Sequence, residues 1–261
     1  MQITSTRNPL VKYVRSLERT REREREGVFL AEGVRLVSEA VATEQQPTLV
    51  LYSADRLASS QRGEELMAAL PEWASRLYEV SEPVLTAAAP TEHPAGILAV
   101  LRKTVPPPLN PSLGFGLILD GLADPGNAGT ILRTADAAGA GYAVTLPGSI
   151  DLYNPKVVRA GMGAHFRLPL YRDVPFVDLA AALPDVALVA LEAAAPASVY
   201  TFAWPRHGAL VVGSEARGLS PRVANAVRYH VRIPMRNGVE SLNAAVAAAI
   251  ALYSALGSSI E

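Results

Sequence analysis

The chain has 261 residues, of which 49% are hydrophobic, a formal net charge of −1 and no cysteine. This length predicts one or two domains with a well-filled core. The lack of cysteine excludes disulfides and a thiolate zinc site, and it fits a reducing cytoplasm. No apolar run reaches the roughly 18 residues of a membrane span, so no membrane partner is expected.

Residues 1–103 predict an amino-terminal arm followed by a small α/β domain. The arm favours a capped helix with Leu10, Val14 and Leu17 on one face, and its alternating Arg and Glu at 18–26 are typical of a solvated helix. Arg7 and Lys12 are candidate RNA contacts within this basic arm. Residues 28–101 then alternate strand and helix, which indicates a compact unit.

Residues 104–114 are rich in proline and predict a stiff linker before a second domain at 115–261. In that domain, strands that are apolar on both faces alternate with helices, which predicts a parallel sheet with ligands at the carboxyl ends of its strands. The last helix, AAVAAAIALYSAL, is apolar all round and is therefore expected to be buried. Ser241 stands at the expected N-cap, with Asn243 just inside the first turn.

Several common site signatures are missing from the second domain. The fingerprint G-x-G-x-x-G is absent, and the second strand ends in Leu146 and Pro147, where a dinucleotide site needs an acid. The four histidines show no ligand spacing, so no metal is predicted. Neither a G-x-S-x-G elbow nor a phosphate-binding G-x-x-x-x-G-K-[ST] loop occurs.

Three stretches carry a resemblance to a known family. NAGTILRTADAAGA at 127–140, LVVGSEARGLSP at 210–221 and IPMRNGVESLNAAVAAAIALY at 233–253 resemble, in order, the motifs of the SpoU (TrmH) RNA ribose 2′-O-methyltransferases of the SPOUT superfamily. FLAEGVRLVSEAV at 29–41 resembles the substrate-binding domain that often precedes them. The resemblance implies an α/β fold, in which a smaller RNA-binding α/β domain precedes a parallel-sheet α/β-knot (trefoil knot) catalytic domain. It also implies a homodimer that uses S-adenosylmethionine, and the cytoplasmic location is the one that the lack of cysteine favours.

The resemblance also assigns residues to a site. The cofactor-binding positions it implies are Leu191, Gly213, Ile233, Met235 and Leu242. The catalytic positions it implies are Asn127, Arg133, Glu215, Ser241 and Asn243. Arg159 matches a position that contacts RNA. In the family Arg133 is the group that acts on the ribose 2′-hydroxyl. We expect it to act as a cation and not as a base, because a guanidinium is almost always protonated.

Two other functions stay open at this point. The first is a Rossmann-type methyltransferase, whose cofactor would lie near Asp120 at the end of the first catalytic strand. The second is an RNA- or ribosome-binding protein without catalytic activity. For the enzyme, ribosomal RNA is the expected substrate ahead of transfer RNA, because family members that act on transfer RNA often lack the amino-terminal domain. The sequence does not identify the nucleotide that is modified.

Overall fold

A computed structural model of the chain describes residues 2–257, and the chain forms two compact units. One unit comprises Met1–Val105 and Tyr153–Phe166, and the other comprises Pro106–Leu152 and Arg167–Glu261. Met1 and residues 258–261, which the predicted domains include, lie outside the described residues.

The described part of the first unit contains a mixed sheet with the strand order β1-β4-β2-β3. Its strands are β1 (Val28–Glu32), β2 (Pro47–Tyr52), β3 (Leu77–Glu79) and β4 (Ile97–Arg102). Its helices, numbered along the whole chain, are α1 (Pro9–Ser16), α2 (Thr20–Glu26), α3 (Val34–Ala42), α4 (Ala54–Leu57), α5 (Gln61–Trp73), α6 (Glu82–Ala88), α8 (Pro155–Gly161) and α9 (Ala164–Arg167). β4 is antiparallel to both β1 and β2, whereas β3 is parallel to β2.

The amino-terminal arm forms two helices, and its charged part is not entirely solvated. Val14 and Leu17 are fully buried as predicted, and Leu10 is partly buried against the same core. Arg23 is also fully buried, which the charge pattern did not predict. Its guanidinium donates to the carbonyls of Leu17 and Glu18 at 2.7 and 2.6 Å, so it caps the end of α1. The hydrogen bonds offset the cost of burying the charge and leave Arg23 out of any RNA contact.

The first unit includes a segment that the sequence assigned to the second domain. Tyr153 and His165 place their rings 4.9 and 6.2 Å from the ring of Phe29 on β1, and α8 packs against β1. The expectation of one continuous domain over 115–261 differs from this arrangement. The physical reason is the burial of aromatic surface between residues more than one hundred positions apart, which local pattern does not encode.

The described part of the second unit contains a sheet with the strand order β7-β6-β5-β10-β8-β11-β9. Its strands are β5 (Gly116–Asp120), β6 (Tyr142–Thr145), β7 (Leu170–Tyr171), β8 (Ala187–Leu191), β9 (Ala197–Ser198), β10 (Gly208–Gly213) and β11 (Tyr229–Arg232). Its helices are α7 (Pro125–Ala138), α10 (Phe176–Ala182), α11 (Pro221–Ala226) and α12 (Ala244–Leu256). All neighbouring strands are parallel, as predicted.

Most of the proline-rich stretch packs against the second unit. Leu109 and Leu113 contact the core cluster around Ile118, and Tyr171 donates its hydroxyl hydrogen to the carbonyl of Pro107 at 2.7 Å. Tyr142 lies fully inside this core, and burial raises the pKa of its phenol. The chain therefore enters the sheet through an anchored segment, which holds the amino end of β5 in place.

Candidate active site

The predicted site residues of the second unit cluster where parallel strands end. Loops follow β5, β8, β10 and β11 at the carboxyl edge of the sheet, and α12 begins after the last of them. In parallel sheets this edge is where ligands bind. Two arrangements form there, a chain of polar side chains and a cavity.

Three of the five predicted catalytic residues are joined by hydrogen bonds. The side-chain amide of Asn243 donates to the amide oxygen of Asn127 at 2.9 Å. The amide of Asn127 in turn donates to a carboxylate oxygen of Glu215, also at 2.9 Å. These residues are separated by 88 and 116 positions from Asn127 in the sequence, so the fold brings them together. We call Asn243, Asn127 and Glu215 the polar chain.

Asn127 can take the middle position because another residue caps its helix. The side chain of Asp124 accepts from the backbone N–H of Asn127 at 2.7 Å, and Pro125 occupies the first helical position. Asp124, and not Asn127, is therefore the N-cap of α7. Because Asp124 satisfies the backbone of Asn127, the Asn127 side chain is available to both Glu215 and Asn243.

The start of α12 fixes the other end of the polar chain. Asn243 is the N-cap and accepts from the backbone of Ala245 and Val246 at 2.9 and 3.3 Å. The prediction of Ser241 as N-cap, with Asn243 inside the helix, was wrong by two positions. Asparagine caps helices at least as well as serine, and its amide has both an acceptor for the helix and donors for Asn127.

The loop after β10 closes on itself. The backbones of Ser214 and Gly218 exchange two hydrogen bonds of 3.0 and 2.8 Å, and Glu215 projects from between them. A Cβ atom at Gly213 would lie 2.5 Å from the carbonyl carbon of Gly218. The space at Gly213 is therefore filled by this loop, although the resemblance implied that Gly213 binds the cofactor.

A cavity of about 160 Å³ lies between the loops that follow β8 and β11 and the first turns of α12. Its lining residues are Leu191, Glu192, Ala193, Ile233, Met235, Glu240, Ser241, Leu242 and Ala247. We call it the Leu242 cavity. Four of the five residues predicted to bind cofactor line it, and Gly213 does not.

Sequence reasoning missed Glu192, Ala193, Glu240 and Ala247, which also line this cavity. Glu192 and Glu240 stand next to Leu191 and Ser241 in the chain, and this adjacency was the one available signal. Glu192 also pairs with His230, whose Nδ1 lies 3.0 Å from the carboxylate. The cavity thus combines apolar walls with two acidic side chains.

Two predicted catalytic residues lie apart from the polar chain. Ser241 lines the Leu242 cavity and makes no hydrogen bond to any residue of the polar chain. Arg133 is exposed on α7, about 9 Å further along the helix axis than Asn127. Within residues 2–257, the Arg133 side chain has no hydrogen bond or ion pair. It therefore makes no hydrogen bond or ion pair with Asn127, Glu215 or Asn243.

The predicted RNA-binding residues all belong to the first unit. Arg7, Lys12 and Arg159 are exposed, the first two on the amino-terminal arm and the third on α8. Burial raises the pKa of Glu32, while a hydrogen bond from Thr91 and the positive charge of Arg159 oppose that rise. Arg159 therefore acts electrostatically on the end of β1.

Between residues 2 and 257, no three histidine, cysteine or acidic side chains are arranged to hold a metal ion. Over the same residues, every helix is too short or too polar to cross a membrane.

Comparisons with known proteins show matches to two domain families and to full-length relatives. Residues 114–253 match the SpoU rRNA Methylase family, and residues 8–99 match the MRM3-like substrate binding domain. RlmP of Bacillus subtilis, a 23S rRNA (guanosine(2553)-2′-O)-methyltransferase, is 33% identical over 97% of this chain and 98% of its own length. A 23S rRNA (uridine(2479)-2′-O)-methyltransferase of Streptomyces viridochromogenes is 32% identical over 98% of this chain and 91% of its own length.

A solved structure shows the same architecture over the full length. The AdoMet-bound rRNA methyltransferase from Sinorhizobium meliloti superposes with a TM-score of 0.86 at 28% identity, covering 100% of this chain and 99% of that one. The fold and site define an α/β protein with a ligand cavity at the carboxyl edge of a parallel sheet. The chain belongs to the SpoU rRNA methylase family.

Proposed function

We propose that this protein transfers a methyl group from S-adenosylmethionine to a ribose 2′-oxygen of ribosomal RNA. The observation that carries the proposal is the adjacency of two features at one edge of the sheet. The Leu242 cavity is lined by Ser241 and Leu242, and the polar chain begins at the next residue, Asn243. Relatives that match nearly the whole chain are named as rRNA 2′-O-methyltransferases.

The residues of the Leu242 cavity fit S-adenosylmethionine. Leu191, Ile233, Met235 and Leu242 would hold the adenine against apolar walls. The carboxylates of Glu192 and Glu240 complement the positive charge of a sulfonium. When bound, the cofactor supplies a methyl group on a cationic sulfur, which is already electrophilic and needs no metal.

The polar chain holds three segments of the second unit in fixed positions relative to one another. Its two hydrogen bonds tie the start of α7, the loop after β10 and the start of α12 together. Holding a nucleophile in line with a methyl group converts an encounter into an oriented reaction, which lowers the barrier substantially. We assign Asn127, Glu215 and Asn243 to positioning the loops around the ribose, and Arg133 to stabilising negative charge on the 2′-oxygen or a neighbouring phosphate.

The proposal extends to assembly, topology and location. Val246 and Tyr253 on α12 are 49% and 47% exposed, with the partly exposed Ile250 between them. This apolar stripe suits a second copy of the chain, and light scattering of the purified protein would test for the homodimer. A trefoil knot in the segment that forms the Leu242 cavity, and a cytoplasmic location suited to a chain without cysteine, complete the proposal.

The test is methylation of ribosomal RNA by the purified protein with labelled S-adenosylmethionine. RNA from a strain that lacks the gene should accept label, whereas RNA from the parent strain, already methylated, should not. A ribose 2′-O-methyl group blocks alkaline cleavage at its own linkage, so the label should appear in alkali-resistant dinucleotides. Equal labelling of both RNAs, or label released entirely as mononucleotides, would contradict the proposal.

A further inference from the structure

A second recess occupies the same sheet edge, at the point where the strand order reverses. From β5 the chain passes to β6 and β7 on one side and later returns to place β10 on the other side of β5. Loops that leave neighbouring strands in opposite directions open a crevice between them. Two cavities of about 480 and 400 Å³ lie there and share Asp120, Pro147, Ser220 and Pro221. We call this recess the Asp120 groove.

The accessible charge of the Asp120 groove is positive. Arg217 and Arg222 line it and are exposed, and within residues 2–257 neither guanidinium has a hydrogen bond or an ion pair. Asp120 is only 5% exposed, and its carboxylate accepts from the backbone N–H of Ser220 at 2.6 Å. The acid therefore belongs to the floor, while two guanidiniums stand at the surface. Unpaired guanidiniums of this kind bind phosphate through paired N–H donors.

The remaining walls are flat and apolar. Pro147 and Pro221 contribute ring faces, and Phe176 lines the wider part while its other side packs against the core of the unit. Single-stranded nucleic acid binds to sites that combine exposed arginines with an aromatic ring. Its phosphates pair with the arginines, and its bases stack on the ring. The volume of each cavity is in the range of small-ligand sites.

The groove and the polar chain share one loop. Ser214, Arg217 and Gly218 line the groove, and Glu215 of the same closed loop accepts from Asn127. A ligand in the Asp120 groove would therefore lie across this loop from the polar chain. That position suits a nucleotide adjoining the ribose that reacts, and does not suit the reacting ribose itself.

We propose that the Asp120 groove binds one nucleotide of the substrate RNA next to the methylated ribose. Its phosphate pairs with Arg217 and Arg222, and its base lies against Phe176 and Pro147. The inference rests on the proposed function, and it gives the second unit an RNA contact of its own. It also gives a role to the recess near Asp120, where a Rossmann-type methyltransferase would hold its cofactor.

The test compares two double variants of the full chain. Arg217→Ala with Arg222→Ala removes both groove cations. Arg206→Ala with Arg228→Ala is the matched control. These exposed arginines lie two residues before β10 and one residue before β11, and so stand at the opposite edge of the parallel sheet. The measurements are KM for ribosomal RNA, kcat, the salt dependence of RNA binding and the calorimetric affinity for S-adenosylmethionine.

For the groove variant we expect KM for RNA to rise about tenfold or more, with kcat changed less than about threefold. The slope of log K against log salt should fall by about 0.7, since the two arginines share one single-stranded phosphate and each such phosphate contributes about 0.7. Cofactor affinity should stay the same, and the control should match wild type throughout.

Three results would separate the possible failures. If the wild-type protein methylates no RNA, the proposed function fails, and this inference fails with it. If the wild type is active and both double variants share its KM and salt slope, only the groove assignment is wrong. If the groove variant loses affinity for S-adenosylmethionine instead, the recess belongs to the cofactor, which also overturns the inference.

Discussion

The Leu242 cavity and the Asp120 groove lie at the same edge of one sheet but have opposite electrostatic character. The cavity is lined by apolar side chains and by the carboxylates of Glu192 and Glu240, whereas the groove exposes Arg217 and Arg222. The first lining suits a cationic cofactor and the second a polyanionic substrate. This separation suits a methyl transfer between two ligands of opposite charge, because each lining attracts one ligand and repels the other.

The wall between the Leu242 cavity and the Asp120 groove consists of residues joined by side-chain and backbone hydrogen bonds. The closed loop at Ser214 and Gly218 borders the groove, and Glu215 connects it through Asn127 to Asn243, which adjoins the cavity. Residues held in this way keep the cofactor region and the RNA region separate while both ligands are bound. The comparison therefore assigns three tasks to three sets of residues, and each can be removed separately.

Arg133 lines neither the Leu242 cavity nor the Asp120 groove. Its removal therefore tests whether these two regions alone are sufficient for methylation. For Arg133→Ala we expect single-turnover methylation to slow by roughly a thousandfold, because the loss of a cation that stabilises developing negative charge costs on the order of 4 kcal/mol. Arg133→Lys keeps the charge but not the planar geometry, and a loss of about tenfold to a hundredfold follows. The measurement is the rate with saturating RNA and cofactor across a range of pH.

Two outcomes would change the role of Arg133. If the lysine variant gains rate as pH approaches the lysine pKa, the neutral amine is accepting a proton and the residue acts as a base. If the alanine variant keeps a nearly normal rate, Arg133 has no part in the reaction and the two regions suffice. Arg206→Ala, an exposed arginine at the opposite edge of the sheet, serves as the control and should retain full activity.

A positive charge placed inside the Leu242 cavity should remove the electrostatic difference between the cavity and the Asp120 groove. Leu242→Arg removes an apolar wall and adds a cation where the cofactor carries its own positive charge. We expect the Kd for S-adenosylmethionine to rise about tenfold to a hundredfold, since a lost apolar contact and a like charge each cost on the order of 1 kcal/mol or more. Calorimetry on the purified variant measures this effect.

Val239→Arg is the matched control for that experiment. Val239 lies three residues earlier in the same loop, is 51% exposed and does not line the cavity. Its substitution adds the same charge at nearly the same place and should change the Kd less than about twofold. Equal weakening in both variants would show that general charge, and not the cavity, governs cofactor affinity.

The sequence predicted the elements that carry a strong pattern. The buried strands of the parallel sheet, the polar residues that follow them and the apolar helix α12 are all where the patterns place them. Several short elements went unpredicted, among them α4, α6, α10, α11 and β9. These helices have four to seven residues and β9 has two, which is too short to show a hydrophobic period.

What the patterns could not supply was tertiary context. α2 is almost wholly charged yet buries Arg23, because the end of α1 offers carbonyls to its guanidinium. α12 is almost wholly apolar yet leaves Val246 and Tyr253 exposed, although helix apolarity predicted burial on every face. Similarly, the motif placed Asn127, Glu215 and Asn243 in one site, but only the fold shows that Asn127 connects the other two.

The smallest expected effect concerns Gly213. The resemblance and the structure give different reasons why this position is a glycine. The resemblance implies that Gly213 binds the cofactor, whereas the structure shows the Gly218 backbone where a side chain at this position would lie. We therefore expect Gly213→Ala to lower the free energy of unfolding by about 2 kcal/mol in the absence of cofactor, because the added methyl group must displace backbone. Thermal or denaturant unfolding of the apo protein measures this directly.

Gly218→Ala separates this effect from ordinary loss of glycine in the same loop. No atom lies within 4 Å of the Cβ position at Gly218, and its φ of +67° costs an alanine only about 1 kcal/mol. Gly213→Ala should therefore be the less stable of the two, and it should disturb cavity and groove together, since the wall between them depends on the loop closing. If Gly213→Ala left stability intact and weakened only cofactor binding, the space at Gly213 would belong to the cofactor after all. The loop would then not be the boundary that divides the two regions.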